Sequence, residues 1–133
     1  MKTSIRTLLI LSAALVLSSC GDSTTNPGGG NGPELSSGTR GTGETYSHAF
    51  STVGTFGYHC AIHPGCAGLM GAVTVVASGV VIPSGSHVLS VSLTDGGGVN
   101  CSYALTAPAT TIHTGESIQW NFVSQAPHTV TSN

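Results

Sequence analysis

Four side chains in three short stretches have the types and spacing to hold a metal ion. In Thr55-Phe56-Gly57-Tyr58-His59-Cys60-Ala61-Ile62-His63-Pro64-Gly65, a cysteine and a histidine stand three residues apart at the end of a β-rich run. A thiolate sulfur and an imidazole nitrogen so spaced can meet on one ion. A short loop later, Leu69-Met70-Gly71-Ala72-Val73-Thr74-Val75 sets a thioether beside a second β-rich run. Gln125-Ala126-Pro127-His128-Thr129-Val130-Thr131 then supplies another strand-end histidine. One thiolate (Cys60), two imidazoles (His63 and His128) and a weak axial thioether (Met70) form a trigonal set with a long fourth bond. Such a set suits both Cu(I) and Cu(II), so a single copper ion changes oxidation state there with little reorganisation.

The elements that must position these ligands are strands. Only 6% of the 133 residues are charged, which leaves Gly, Ser, Thr and Val to dominate. No stretch sustains an i, i+3, i+4 apolar period, whereas short β-branched runs separated by Gly, Pro and Asn predict an all-β sandwich or barrel. The length suits one domain. Trp120 and Phe122 alternate toward one face and read as core; Tyr46, Phe50, Phe56 and Tyr58 read as core or cross-strand packing. His59, adjacent to Cys60 on a strand, must point to the opposite face. His48 alternates with Tyr46 and Phe50 and reads as a strand residue. His87 and His113 sit near turns and read as exposed, with no partner at a convincing spacing.

The N-terminus carries an address. Lys2 and Arg6 precede the apolar run Leu8 to Leu17, and Ser18-Ser19-Cys20 follows, the pattern of a secretory signal. The apolar run is too short for a spanning helix. The Leu-Ser-Ser-Cys ending resembles a bacterial lipobox, in which Cys20 would take lipid and become the new N-terminus. This predicts a signal peptide over 1–19, a Gly/Ser/Asn/Pro tether over 20–33 and a folded domain over 34–133. The expected location is the cell envelope, anchored to a bacterial membrane and facing the periplasm or exterior. Beyond Cys20, Arg40 stands against Asp22, Glu34, Glu44, Asp95 and Glu116, a formal charge of about −4. Without a basic patch the chain is unsuited to nucleic acid.

The run Gly54 to Pro64 resembles the C-terminal copper loop of plastocyanin-like cupredoxins, the blue type 1 copper proteins. Thr114-Gly115-Glu116-Ser117-Ile118-Gln119-Trp120-Asn121, followed by Pro127-His128-Thr129-Val130, is similar to that family's N-terminal half. The resemblance implies a Greek-key β-sandwich with one type 1 copper held by Cys60, His63, His128 and Met70. Two departures stand out. Family members usually place Met two residues before the strand-opening Gly, which here is Leu69, so either Met70 or Leu69 faces the copper. The order of the halves is also reversed: 34–76 resembles the C-terminal half, 77–87 reads as a linker, and 88–133 resembles the N-terminal half. A circular permutation accounts for this order; a gene fragment, completed only by domain swapping, is the alternative.

With Cys20 assigned to lipid and Cys60 to copper, Cys66 and Cys101 remain. In an oxidising compartment spare thiols usually pair, and the family layout brings the Asp95–Gly98 turn to the end that holds the metal loop. A Cys66–Cys101 bridge is therefore expected; a buried free thiol or a further copper ligand is the alternative. The resemblance implies a one-electron carrier rather than an enzyme, docking transiently with redox protein partners near His63 over Pro64, Ala67, Gly68 and Leu69. Copper delivery or buffering, and an apo structural module, are the competing functions.

Overall fold

The computed structural model describes residues 34–97 and 101–133; the signal segment, Cys20 and the tether to residue 33 lie outside the described residues. Eight strands follow in order: β1 Thr45–Ala49, β2 Gly54–His59, β3 Gly71–Val76, β4 Ser90–Asp95, β5 Tyr103–Leu105, β6 Ala109–His113, β7 Ser117–Phe122 and β8 Thr131–Ser132. One 3-10 turn, Ala67–Leu69, precedes β3. The strands form two mixed sheets of four, ordered β1-β7-β4-β5 and β6-β3-β2-β8. The expected all-β sandwich is what the chain adopts.

Alternation builds the core. Val91 and Leu93 of β4, Ile118, Trp120 and Phe122 of β7, Val73 and Val75 of β3, and Ile112 of β6 are all buried, while their neighbours along each strand are less so. Successive side chains of a strand take opposite faces, so β2 turns Phe56 and Tyr58 inward and carries the same parity on to Cys60. Tyr58 pairs with Gly71 across the β2–β3 ladder. A methyl group on Gly71 would run into the Tyr58 ring. The missing side chain at 71 thus makes room for the buried ring of 58, which in turn packs edge-on against Trp120 at 5.4 Å.

β4 begins at Ser90, two residues past Val88. The Thr110 hydroxyl accepts from the Val88 N–H at 2.9 Å and donates to the Val88 carbonyl at 2.8 Å. One side chain thus satisfies both backbone groups, and Val88 stays out of a ladder.

The two sequence halves assemble within one chain. β1 lies against β7, β3 runs parallel to β6, and β8 closes onto the end of β2. Leu35–Arg40 runs antiparallel beside residues 128–132, through Ser37 N–H to the Val130 carbonyl and Ser132 N–H to the Leu35 carbonyl, both at 3.0 Å. Residues 77–89 return over the far end of the sandwich, where the Ser86 carbonyl accepts from the Thr111 N–H at 2.7 Å.

Replacing Gly71 with Ala is expected to cost about 1–3 kcal/mol, the usual penalty for overfilling a packed core. Urea unfolding of Gly71→Ala beside the parent chain measures it; an unchanged midpoint would mean that Tyr58 can vacate the space freely.

Candidate metal centre

β2 delivers Cys60 to the end of the sandwich with its side chain inward and buried. Beyond it the chain advances in successive three-residue turns. The Cys60 carbonyl accepts from His63 N–H, the His63 carbonyl from Cys66 N–H, and the Cys66 carbonyl from Leu69 N–H, at 3.0 to 3.2 Å. Gly65, at φ 82°, takes the left-handed conformation that this path requires. The first turn folds His63 back over the sulfur, with Nδ1 at 3.4 Å from Cys60 Sγ.

His128 comes from the other half. Its backbone N–H and C=O both pair with Arg40, at 2.9 and 2.8 Å. The loop before it is held by Asp95, whose carboxylate accepts from the Ser124 hydroxyl at 2.5 Å and the Gln125 N–H at 2.9 Å. These bonds, the Ser124 hydroxyl first, hold the Asp95 carboxyl below its ordinary range. Thr129 joins the two ligand-bearing segments. Its N–H donates to Cys60 Sγ at 3.3 Å, and its hydroxyl oxygen accepts from Ala61 N–H at 2.7 Å.

Cys60, His63 and His128 therefore converge, with His128 Nδ1 at 3.7 Å from Cys60 Sγ. The two imidazoles lie 4.8 Å apart centre to centre. His128 is fully buried, and its Nε2 has no hydrogen-bond partner among the described residues. Burial, followed by the neighbouring His63, pushes its pKa below the usual imidazole value, with Asp95 opposing. The neutral ring so favoured is the form that ligates metal. Burying an imidazole with an unpaired nitrogen costs on the order of 1–3 kcal/mol. A soft thiolate beside two imidazole Nδ1 atoms is a donor set for a thiophilic transition ion; an ion there would take the Nδ1 lone pair of His128 and leave the hydrogen on Nε2.

Met70 and Leu69 part company. Met70 has extended backbone and continues β3 backwards, so it shares a face with the outward residues Ala72 and Thr74, and its side chain is 51% exposed. Leu69, on the inward parity of Gly71 and Val73, is 1% exposed. The β2–β3 ladder ends at Tyr58↔Gly71, just short of both residues, and Leu69 closes the 3-10 turn that precedes it. A burial this complete also removes Leu69 from the surface expected around His63, where Ile62, Pro64 and Ala67 are the exposed apolar neighbours.

The Cys66–Cys101 disulfide is present, with a Cα–Cα separation of 5.2 Å, and ties the His63 loop to the start of β5. Closing a loop of 35 residues in this way contributes about 4 kcal/mol in the chain-entropy account. Two residues on, Tyr103 packs against both imidazoles, 4.9 Å from His63 and 4.7 Å from His128. Sequence reasoning missed Tyr103, Thr129 and Asp95. The alternation Cys101-Ser102-Tyr103 was the available signal for the tyrosine, since a bridge at 101 brings the same face of 103 to the site. As expected, His48 is a strand residue (its Nε2 bonds Glu34 at 2.9 Å), and His59 faces away from Cys60 toward Asn133, at 2.7 Å. His87 and His113, read as partnerless, instead gather around Glu116.

Comparison of the chain with family models, curated proteins and solved structures finds no match in any of the three.

Because the Asp95 carboxyl is held below its ordinary value of 3.8, its stabilising contribution is complete above that value and is lost as pH falls through the lower, folded one. Urea unfolding of Asp95→Asn is therefore expected to show lower stability than the parent at neutral pH. The gap should narrow in acid below 3.8. A gap independent of pH would remove the carboxylate from this role.

Proposed function

We propose that this protein is a copper-binding, one-electron carrier of the cupredoxin type, working outside the cytoplasm. The observation that carries the reading is the convergence of Cys60, His63 and His128 from two distant segments, with the Thr129 N–H aimed at the sulfur. Copper bound there supplies the Cu(I)/Cu(II) couple; the protein's part is to hold the donors nearly still between the two states. The Arg40 pairing and the Asp95 platform fix His128, while the disulfide and the successive turns fix His63. The Thr129 N–H withdraws charge from the thiolate, and Tyr103 shields both rings. His63 is half-buried and lies beside exposed Ile62, Pro64 and Ala67, a small apolar rim suited to brief docking of a redox protein.

Within this reading Met70 faces outward and Leu69 is buried, so Cys60, His63 and His128 are the residues that would hold the copper. The change from the sequence expectation follows from the one-residue offset. In a strand an offset of one moves a side chain to the other face. The disulfide favours an oxidising compartment. It accords with the secretory pattern and with lipid attachment at Cys20 as the route to a membrane surface. The reversed order of the halves fits a permuted domain, since Leu35 and Ser132 lie side by side.

Adding Cu(II) to the purified chain is expected to give an intense visible thiolate-to-copper band that bleaches on reduction and returns on reoxidation. The band should vanish in Cys60→Ser, persist in Met70→Leu and change in Leu69→Met. A colourless, folded protein would sink the carrier reading. A coloured protein that surrenders its copper to a chelator within seconds would point to delivery instead.

A further inference from the structure

At the end of the sandwich opposite Cys60, three side chains from separate segments meet. His113 closes β6, Glu116 lies in the turn before β7, and His87 comes from the crossing segment 77–89. The β3–β6 ladder runs from Ala72↔Ala109, near the copper-ligand loop, to Val76↔His113. Four strand steps of about 3.3 Å put roughly 13 Å between the two ends of this ladder. The two clusters are therefore separate.

Glu116 is the hub. Its Oε2 lies 2.9 Å from His87 Nε2 and 3.4 Å from His113 Nδ1, and accepts the His113 backbone N–H at 2.7 Å. The tautomer of His113 follows from its other nitrogen. Nε2 is 2.9 Å from the Val80 carbonyl, an acceptor only, so Nε2 carries the hydrogen. In the neutral ring Nδ1 then presents a lone pair to a carboxylate oxygen, acceptor against acceptor. Either a proton or a metal ion on Nδ1 satisfies both atoms. An N–H···O=C bond from the distal nitrogen is also how metal-ligating histidines are commonly oriented.

We propose that His87, His113 and Glu116 form a second metal site, for a divalent transition ion of borderline softness such as Zn(II), open to solvent on one side. Two imidazoles and a carboxylate are a zinc-type donor set, with solvent completing a tetrahedron. Zinc bonds of about 2.0–2.1 Å separate tetrahedral ligands by roughly 3.3 Å, and the observed 2.9 and 3.4 Å bracket that value. The imidazole rings, 5.8 Å apart and inclined at 66°, leave the carboxylate oxygen between them. His87 is exposed, which keeps a face of the site in water. The ion would fasten the crossing segment 77–89 to the β6–β7 turn at the end of the fold that has no disulfide among the described residues. This site does not depend on the copper reading.

The test is Zn(II) titration of the full chain carrying Cys60→Ser, which disables the thiolate centre, followed by calorimetry and by the histidine ring signals in NMR. One equivalent is expected to bind, shift the His87 and His113 signals and raise the thermal midpoint. Adding His87→Gln or Glu116→Gln should weaken binding by at least about tenfold and abolish the rise in midpoint. Glu116→Gln retains an oxygen for the His113 N–H, so a folded variant is assured a fair comparison; dispersed NMR signals confirm folding. Equal affinity in parent and variants, or unshifted His87 and His113 signals at saturation, would overturn the proposal. Binding that moves only His63 and His128 would do the same.

Discussion

The buried ring of Tyr58, lying over Gly71, sets the register between β2 and β3, and much of the metal centre depends on that register. Only glycine at 71 lets a ring pack flat against the opposing backbone. With 58 facing inward, Cys60 must face inward too, and His59 must face out. A slip of one residue would expose the cysteine and bury His59. Trp120, edge-on to Tyr58, carries the constraint into the second sheet. The site is thus indexed to the centre of the core and not merely to its own loop.

The second ligand is secured differently. His128 is followed by β8, a strand of two residues that could not fix it alone. Leu35–Arg40 supplies the outer partner, while β2 supplies the inner one through Tyr58↔Ser132 and His59↔Thr131. The beginning and end of the described domain therefore support each other at the ligand-bearing edge. Thr129 converts this backbone arrangement into a contact with the metal centre, since one residue addresses both the sulfur and the Ala61 amide. Buried polar groups linked in this way have little freedom, because each alternative leaves a donor or acceptor unpaired.

Much of this was legible in the sequence because it rests on local pattern. The all-β class followed from alternation and turn residues, and Cys60 with His63 from a three-residue spacing that a single turn can close. The inward face of Trp120 and Phe122 was visible in their period. His128 entered on its residue type and strand-end setting and gained support from the likeness of its surroundings to a known family, since nothing local ties residue 128 to residue 60. Met70 shows the limit of chemical type as a guide: a thioether is the better ligand than an isobutyl group, yet the chain buries Leu69 and leaves Met70 half exposed. Tyr103, Asp95 and Thr110 were opaque because each acts through partners far away in sequence, on backbone groups or rings whose positions only the assembled sheets define. The trio of His87, His113 and Glu116 was hidden for the same reason. Its members span thirty residues, and only the parallel β3–β6 pairing and the returning segment bring them together.

The two ends of the sandwich differ in the one respect that matters for sorting ions. At the Cys60 end a sulfur donor is buried and two imidazoles are packed against a tyrosine. With a buried sulfur and one buried imidazole, that environment selects by donor type. At the Glu116 end the donors are nitrogen and oxygen, one histidine is exposed, and a mobile coordination shell can include solvent. Raw affinity for divalent ions rises along the first transition row toward copper at either end, so affinity alone would not keep two metals apart. Sulfur and burial would, because a thiolate stabilises Cu(I) and the carboxylate end does not. Under the two proposals a single fold would present a sulfur-containing donor set at one end and a nitrogen–oxygen set at the other, with the parallel β3 and β6 strands between them.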